Sequence, residues 1–483
     1  MVPYVRKSFF KHFKDGLEFI EGRCVGDSLQ DSLPINAPDY EIYSTKATKY
    51  AGEMTRREVK QAVEGMYHNL NTLQSRSGNQ LPFSSVNYGT CTLPEGRMVT
   101  RALLEASIEG VGKLHKTSIF PCGIFQMMKG VNRVPGDPNY DLYRLALKST
   151  AQRLYPNYAN VDWSGNEGYD RFDPRTYFST MGCRTANGWD INGFGQLKDG
   201  RGNICPVTII LPTIAMRAKH AAAVHDVEEA FLNLLDKKIH EAKDMLIERF
   251  EWICKQGPSA AKFMYENGTM AGYDGKDIRS ALKHGTLALG QLGLAEALQI
   301  LIGCDHTEER GMELAKRIEE LFKRRCSEFK EQYRLNFGVY YSPAENLSHT
   351  ALKKFRDEFG VIENVSDKEY FTNSIHVPVW REVTPFEKID IESQLTGFSS
   401  AGCITYVEID AGVKNNIDAL EIIVNYAMDK DIPYFAINVP CDTCMACGYS
   451  DEMDDTCLQC GSDDVQHLRR VTGLSQGNAP KLP

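Results

Sequence analysis

Cys444 and Cys447, then nine residues, then Cys457 and Cys460 form two Cys-x2-Cys pairs near the end of the chain. Each pair makes a tight knuckle that aims two thiolates at one ion, and two knuckles complete a tetrahedron. Gly448 and Gly461 directly follow the second cysteine of each pair, where a sharp turn benefits from a residue tolerating positive φ. Four unrelated buried cysteines are not expected at this spacing, and an iron–sulfur cluster, which also accepts four thiolates, is the weaker competitor. Cys441, three residues ahead, reads as a bystander. Four thiolates leave no open coordination position, so zinc here is expected to be structural, folding a segment too short to build its own core. Beyond it stand Val471, Thr472, Gly473 and Leu474, with ten residues following Gly473. By pattern alone Gly473 is an ordinary turn glycine.

The elements ahead of these residues alternate. Residues 52–74 read as a charged amphipathic helix, 75–80 as a break, and 81–90 as a strand. Helical patterns follow at 95–115 and 137–154, with a strand at 118–127 between them. The strand at 207–212 leads into a long helical region over 214–256, continued at 280–301 and 307–331. Strands are expected at 376–380, 403–410 and 433–439, with a helix over 416–429. This alternation predicts an α/β architecture with a mostly parallel sheet or barrel.

Composition bounds the class. With 483 residues, 42% hydrophobic and 25% charged, the chain can bury a large core. A net charge of −9 argues against a general nucleic-acid binder. The first residues carry charges throughout and lack a signal-peptide core, and no run is apolar enough to span a bilayer, so no membrane partner is expected. The cytoplasm is the expected location. Fourteen cysteines there read as metal ligands, reactive thiols or small buried hydrophobes rather than disulfides.

Several short motifs occur in a telling order: MGCRT at 181–185, Gly200 to Asn203 ahead of the 207–212 strand, SPAE at 342–345, TNSIHVPV at 372–379, and the cysteine pairs ahead of RVTG. Together they resemble the anaerobic, class III ribonucleoside-triphosphate reductases, a glycyl radical family, over essentially the whole chain. The resemblance implies a ten-stranded α/β barrel over 1–440, a four-cysteine zinc segment over 441–463, and a glycyl radical loop and tail over 464–483. A finger loop would carry the radical cysteine, Cys183, into the barrel, and Gly473 would bear the glycyl radical. Glu345 would accept the 3′-hydroxyl proton as general base, and Asn203 would orient substrate or reductant. Taken singly, Glu345 can instead cap the turn after Pro343, and Asn203 can be a turn residue. Arg76 is a candidate phosphate-proximal cation or a solvated arginine. Cys24, Cys91, Cys122, Cys205, Cys254, Cys304, Cys326 and Cys403 read as core residues.

The same resemblance implies ribonucleoside triphosphate substrates, ATP and deoxynucleotide effectors, a homodimer, and formate or a small redoxin as reductant. The radical would be installed by an activase using S-adenosylmethionine and a [4Fe-4S] cluster. Two departures stand out: Leu474 replaces the usual tyrosine after the glycine, and the family's N-terminal segment, with its second active-site cysteine, is not found ahead of Met1. A small companion chain completing the barrel is therefore expected, because an unpaired barrel edge invites aggregation. The alternatives are another glycyl radical enzyme such as a lyase, which the cysteine pairs speak against, and a non-catalytic nucleotide-binding remnant.

Overall fold

Eight strands carry the architecture of the computed structural model, which describes residues 1–73, 81–221, 226–471 and 474–477. They are β1 (Ser85–Tyr88), β2 (Cys122–Met127), β3 (Asn157–Asn160), β4 (Asn203–Ile210), β5 (Thr286–Leu292), β6 (Asn336–Tyr340), β7 (Thr405–Glu408) and β8 (Tyr434–Asn438). β1, β2 and β3 run parallel. β3 meets β8 antiparallel, with Tyr158 opposite Phe435, and β8 runs parallel to β7. β4, β5 and β6 form a second parallel sheet. A parallel bridge from Tyr340, at the end of β6, to Gly402, just before β7, joins the two sheets. The result is one curved wall, with three strands running one way and five the other.

Side-chain alternation gives the wall two faces. On β5, Leu287 and Leu289 point out and join a cluster with the helices Leu211–Ala221, Val227–Cys254 and Glu309–Tyr333, whereas Ala288 points in against Ala401 and Tyr340. On β3 and β8, Tyr158, Phe435 and Ile437 pack outward against the helices Pro94–Glu109, Tyr140–Arg153 and Ile417–Asp429. Ala159 and Ala436 face inward with Phe178, Ala186 and Tyr406. Small residues on the concave face leave room for chain inside the wall. A Cβ on the buried Gly338 of β6 would come within 2.9 Å of Ser400 Oγ, so the 399–402 segment lies directly on the strand.

Five of the expected strands are present, at β1, β2, β4, β7 and β8. Two expectations fail. Residues 376–380 form no strand: Pro378 has no N–H to give a ladder, and the Val377 N–H donates to Glu392 Oε1 at 3.1 Å instead. Residues 280–301 are not one helix, because β5 (Thr286–Leu292) separates the short helix Arg279–Leu282 from the helix Leu294–Ile302. All seven residues of β5 are buried, and a fully buried apolar run shows neither the strand nor the helix period. Among the described residues, no helix is long and apolar enough to cross a membrane.

Candidate active site and metal centre

The connection from β3 to β4 has to cross the wall's interior, because β3 sits in the middle of one sheet and β4 at the far edge of the other. Its tip is a tight reversal. Thr180 and Ala186 pair antiparallel, the Met181 N–H donates to the Thr185 carbonyl at 2.9 Å, and Arg184 turns the chain at φ 67°. Cys183 sits at this tip, half-buried, its Sγ 3.5 Å from Thr185 Oγ1.

Strands from both directions hold the loop. Asn87 of β1 donates to the Thr180 carbonyl at 2.9 Å, and Gln126 of β2 to the Phe178 carbonyl at 3.0 Å. From β6, the Tyr340 hydroxyl donates to the Cys183 carbonyl at 2.8 Å. The Ala401 carbonyl accepts twice, from the Ala186 N–H at 2.9 Å and from Asn203 Nδ2 at 3.2 Å. A residue larger than glycine is excluded at Gly402, where φ is +124° and a Cβ would overlap the Arg184 carbonyl oxygen. Cys183 is thus presented on a loop whose carbonyls are held on several sides, and Asn203 buttresses the same segment. Asn203 Oδ1 is buried without a partner among the described residues, so it remains a free acceptor.

Next to the tip, Arg184 is only 2% exposed. Its Nη1 lies 3.5 Å from the Tyr341 carbonyl and 3.4 Å from His376 Nε2, and His376 Nδ1 lies 3.2 Å from Glu392 Oε2. Arg184 can only donate, so Nε2 accepts and the imidazole proton sits on Nδ1, facing Glu392. Burial pushes the His376 pKa down, with Arg184 and Lys388 acting in the same direction, which keeps the ring neutral. Burial pushes Glu392 up, but the hydrogen bond from His376 Nδ1–H at 3.2 Å and the Lys388 ammonium at 3.9 Å outweigh it and hold the carboxyl below its usual range. A buried Glu392 anion balanced by Arg184 and Lys388, with neutral His376 relaying between them, anchors the tip. No role for Arg184, His376 or Glu392 was legible in the sequence, although the first two stand in the motifs at 181–185 and 372–379.

The 342–345 and 372–379 motifs also meet. The Ala344 N–H donates to Asn373 Oδ1 at 3.0 Å, and Ser374 Oγ to the Ser342 carbonyl at 3.0 Å. Glu345 opens the helix Glu345–Phe359 directly after this junction. Gly473 and Arg76 lie outside the described residues. The strands on either side of Thr472 and Gly473 are described: β12 (Leu468–Val471) and β13 (Leu474–Gly477) pair antiparallel, with Val471 opposite Leu474.

The four expected metal ligands come together. The Sγ atoms of Cys444, Cys447, Cys457 and Cys460 all lie within 4.8 Å of one another. Cys444 Sγ is 3.6 Å from Cys460 Sγ, and Cys447 Sγ is 3.7 Å from Cys457 Sγ. Zn–S bonds of about 2.3 Å in a tetrahedron place sulfurs about 3.8 Å apart, so the donor set fits such an ion. Gly448 and Gly461 close the knuckles at φ 81° and 71°, donating back to the Cys444 and Cys457 carbonyls. Three short strands frame the centre: β9 (Asp442–Cys444), β10 (Ser450–Asp451) and β11 (Val465–Gln466), both neighbours antiparallel to β9. β11 leads straight into β12, so the hairpin flanking Gly473 leaves directly from the cysteine cluster. Cys441 takes no part; its Sγ lies 2.9 Å from the Gln152 carbonyl and 3.1 Å from Thr117 Oγ1. Of the remaining thiols, Cys122, Cys205, Cys304, Cys326 and Cys403 are buried and Cys91 and Cys254 half-buried. Cys24 is exposed and not a core residue: it follows the helix Val2–Glu21, which ends at Gly22, and lies in the loop beyond. Cys122 packs against the tip itself, since a Cβ on Gly182 would come within 2.6 Å of its sulfur.

The model of a family described as anaerobic ribonucleoside-triphosphate reductase matches residues 1–479. Among its relatives, the anaerobic ribonucleoside-triphosphate reductase of Haemophilus influenzae is 31% identical over 464 residues, 94% of this chain and 59% of the relative. That of Enterobacteria phage T4 is 30% identical, covering 93% of this chain and 69% of the relative. The chain thus spans about three fifths of the length of the Haemophilus relative. Among solved structures, the Thermotoga maritima anaerobic ribonucleotide reductase with dATP in its specificity site superposes with a TM-score of 0.64 at 17% identity, over 92% of this chain and 72% of that one. The B12-independent glycerol dehydratase of Clostridium butyricum superposes with a TM-score of 0.55 at 11% identity, over 82% of this chain and 57% of that one. The fold is that of the glycyl radical enzyme barrels.

Proposed function

The chain belongs to the anaerobic ribonucleoside-triphosphate reductase family, and from that premise we propose that it reduces ribonucleoside triphosphates to 2′-deoxyribonucleoside triphosphates with Cys183 as the radical-bearing thiol. The observation carrying this reading is the placement of Cys183: a half-buried thiol at the tip of an interior loop, its carbonyl fixed by Tyr340 and the loop held by both sheets. A thiyl is short-lived in water and oxygen, and chemistry of this kind belongs inside a closed wall.

In the proposed reaction Gly473 holds the resting radical, a Cα radical shared between the flanking amides. Hydrogen transfer from Cys183 Sγ to Gly473 leaves a thiyl at Cys183, which removes the 3′ hydrogen of the substrate ribose. Glu345, at the start of its helix beyond β6, takes the 3′-hydroxyl proton. The 2′ hydroxyl takes up a proton and leaves as water, and formate or a dithiol supplies the two electrons and the hydrogen that complete reduction at C2′. Cys183 then returns its hydrogen to C3′, becoming a thiyl again, and takes a hydrogen back from Gly473, which restores the glycyl radical. Asn203, with its free Oδ1, orients a hydroxyl or the reductant. The Gly473 radical is installed by an activase that carries a [4Fe-4S] cluster and uses S-adenosylmethionine. Zinc on Cys444, Cys447, Cys457 and Cys460 supplies structure rather than chemistry. Because dATP occupies the specificity site of the Thermotoga relative, deoxynucleotides and ATP are the proposed effectors here.

Anaerobic activation followed by electron paramagnetic resonance tests the assignment. The wild-type chain is expected to show a carbon-centred doublet, and Gly473→Ala to show none. Cys183→Ser is expected to keep the doublet and lose deoxynucleotide formation. Turnover by Cys183→Ser would sink the proposal.

A further inference from the structure

At the end of the wall where β3 finishes and β4, β7 and β8 begin lies a pocket of about 290 Å³ that the reaction above does not use. Cys183 is not among its walls; the finger loop contributes Phe178 ahead of its tip and the stretch from Ala186 to Trp189 after it. The size suits a small organic ligand.

Its charge is one-sided. Lys198, Lys323 and Lys330 line it, the last two being two turns apart on one face of the helix Glu309–Tyr333. Arg201 stands behind the wall, donating to the Gly188 carbonyl at 3.0 Å and the Leu197 carbonyl at 2.7 Å. Lys198 and Arg201 are only 7% and 8% exposed. The carboxylates acting on Lys330 are Asp190 and Glu331. Asp190 is already held by Asn336 at 2.6 Å and His284 at 2.8 Å, and Glu331 is exposed and paired with Arg334 at 3.2 Å. Burial, with Arg201 and Lys330 adding repulsion, pushes the Lys198 pKa down to about 8. Like charges kept together out of water are costly unless an anion joins them.

Unused donors point the same way. Lys198 Nζ donates to Gln196 Oε1 at 2.9 Å and Lys330 Nζ to the Trp189 carbonyl at 2.6 Å, which leaves ammonium protons over on both. Trp163 lines the pocket at 8% exposure, and its indole Nε1–H is buried without a partner among the described residues. Arg201 Nη2 is buried without one as well. Orphan donors beside lysines call for an acceptor carrying several oxygens. The other walls are aromatic: Trp163, Trp189 and Phe398, with Lys323 Nζ 5.5 Å from the Phe398 ring centre. Such rings accept a flat π-system.

We propose that this pocket binds an aromatic compound carrying a phosphate group, its phosphate among Lys198, Lys323 and Lys330 and its ring among Trp163, Trp189 and Phe398. Trp189, at 58% exposure in the wall, is a built-in fluorescence reporter. The test titrates the full, unactivated chain with AMP, adenosine and inorganic phosphate, and compares a Lys198→Met, Lys330→Met double variant and a Lys330→Met single variant. Saturable quenching by AMP is expected at lower concentration than by either adenosine or phosphate alone. The Kd for AMP is expected to rise about tenfold or more in the single variant, as for the loss of one charge-assisted contact, and further in the double variant. A Trp189→Phe chain should lose the part of the signal that Trp189 supplies and keep that of Trp163. The proposal is overturned if AMP gives no saturable quenching at millimolar concentration, if phosphate alone binds as tightly as AMP, or if Lys330→Met, folded by its melting curve, binds as wild type.

Discussion

Arg184 is the residue on which the position of Cys183 turns. Its neighbours in sequence make the finger tip, and its guanidinium reaches the ring of His376, 192 residues away, which in turn meets Glu392. The charge balance there is Glu392 against Arg184 and Lys388. Removing one member of a buried ionic group leaves the others unpaired and costs about 3–5 kcal/mol. Glu392→Gln keeps the shape and deletes the charge. It is therefore expected to destabilise the chain by a few kcal/mol in urea and to speed alkylation of the half-buried Cys183 thiol as the tip loosens. The same group sets an acid limit. Glu392 has its pKa held down in the folded chain, so its contribution is present above the ordinary glutamate value and is lost as pH falls through the lowered one. His376, also lowered, works in the same direction, because the unfolded ring takes up a proton at a pH where the folded one does not. Wild-type stability should fall on acidification below neutrality, and Glu392→Gln should show a shallower fall. Equal slopes for the two proteins would remove Glu392 from this role.

At the scale of elements, what was legible depended on how local the cause is. The cysteine pairs are a local pattern, and the knuckles formed as their spacing requires. Strands β1, β2, β4, β7 and β8 were legible because short apolar or aromatic runs end in turn residues. β5 was not, since seven buried residues in a row erase the period. His376 to Trp380 looked like a strand and became an anchor, because Glu392 claimed the Val377 N–H. The contacts that build the site link β1, β2, β6 and the 399–402 segment to one loop, and no window of sequence contains them together. The zinc segment shows the opposite balance of local and long-range causes. Its own core is Cys444, Met453 and Cys457 with Tyr449 and Val465 against them. Burying so few side chains, at about 1.5–3 kcal/mol each, contributes less in total than ordering the whole stretch from 441 to 463 costs at roughly 1–2 kcal/mol per residue. A structural zinc, worth about 10–16 kcal/mol in small peptides, offsets part of that cost. Cys444→Ser and Cys460→Ser are expected to lose zinc by elemental analysis, to keep the far-ultraviolet circular dichroism of the barrel, and to yield no glycyl doublet on activation. A zinc-free variant with an undiminished doublet would mean that the cluster does not position Gly473.

Across the whole molecule, buried titratable groups on opposite faces of the wall oppose one another in pH. The concave face holds the Glu392 group, which weakens in acid. The convex face holds Glu319, which is fully buried on the helix Glu309–Tyr333 and accepts from Gln291 Nε2 at 2.9 Å. Among the described residues no cation pairs with it in the way that Lys388 pairs with Glu392, and burial pushes its pKa up to about 8. Glu296, buried behind Thr372, is pushed by burial to about 7. For these two the sign is reversed: the folded chain holds protons that the unfolded chain has released. Their contribution is complete below the ordinary glutamate value and is lost as pH rises through about 7 and then about 8. A tenfold change in proton affinity corresponds to about 1.4 kcal/mol, so the alkaline loss from Glu319 is on the order of a few kcal/mol. Glu319→Gln retains the volume and cannot ionise. Its urea midpoint is expected to match wild type near pH 5 and to exceed it progressively from pH 6 to pH 9, the gap being set by the raised Glu319 pKa of about 8. A constant gap across that range would mean that Glu319 is already ionised in the folded chain, and the alkaline limit would then have to lie elsewhere.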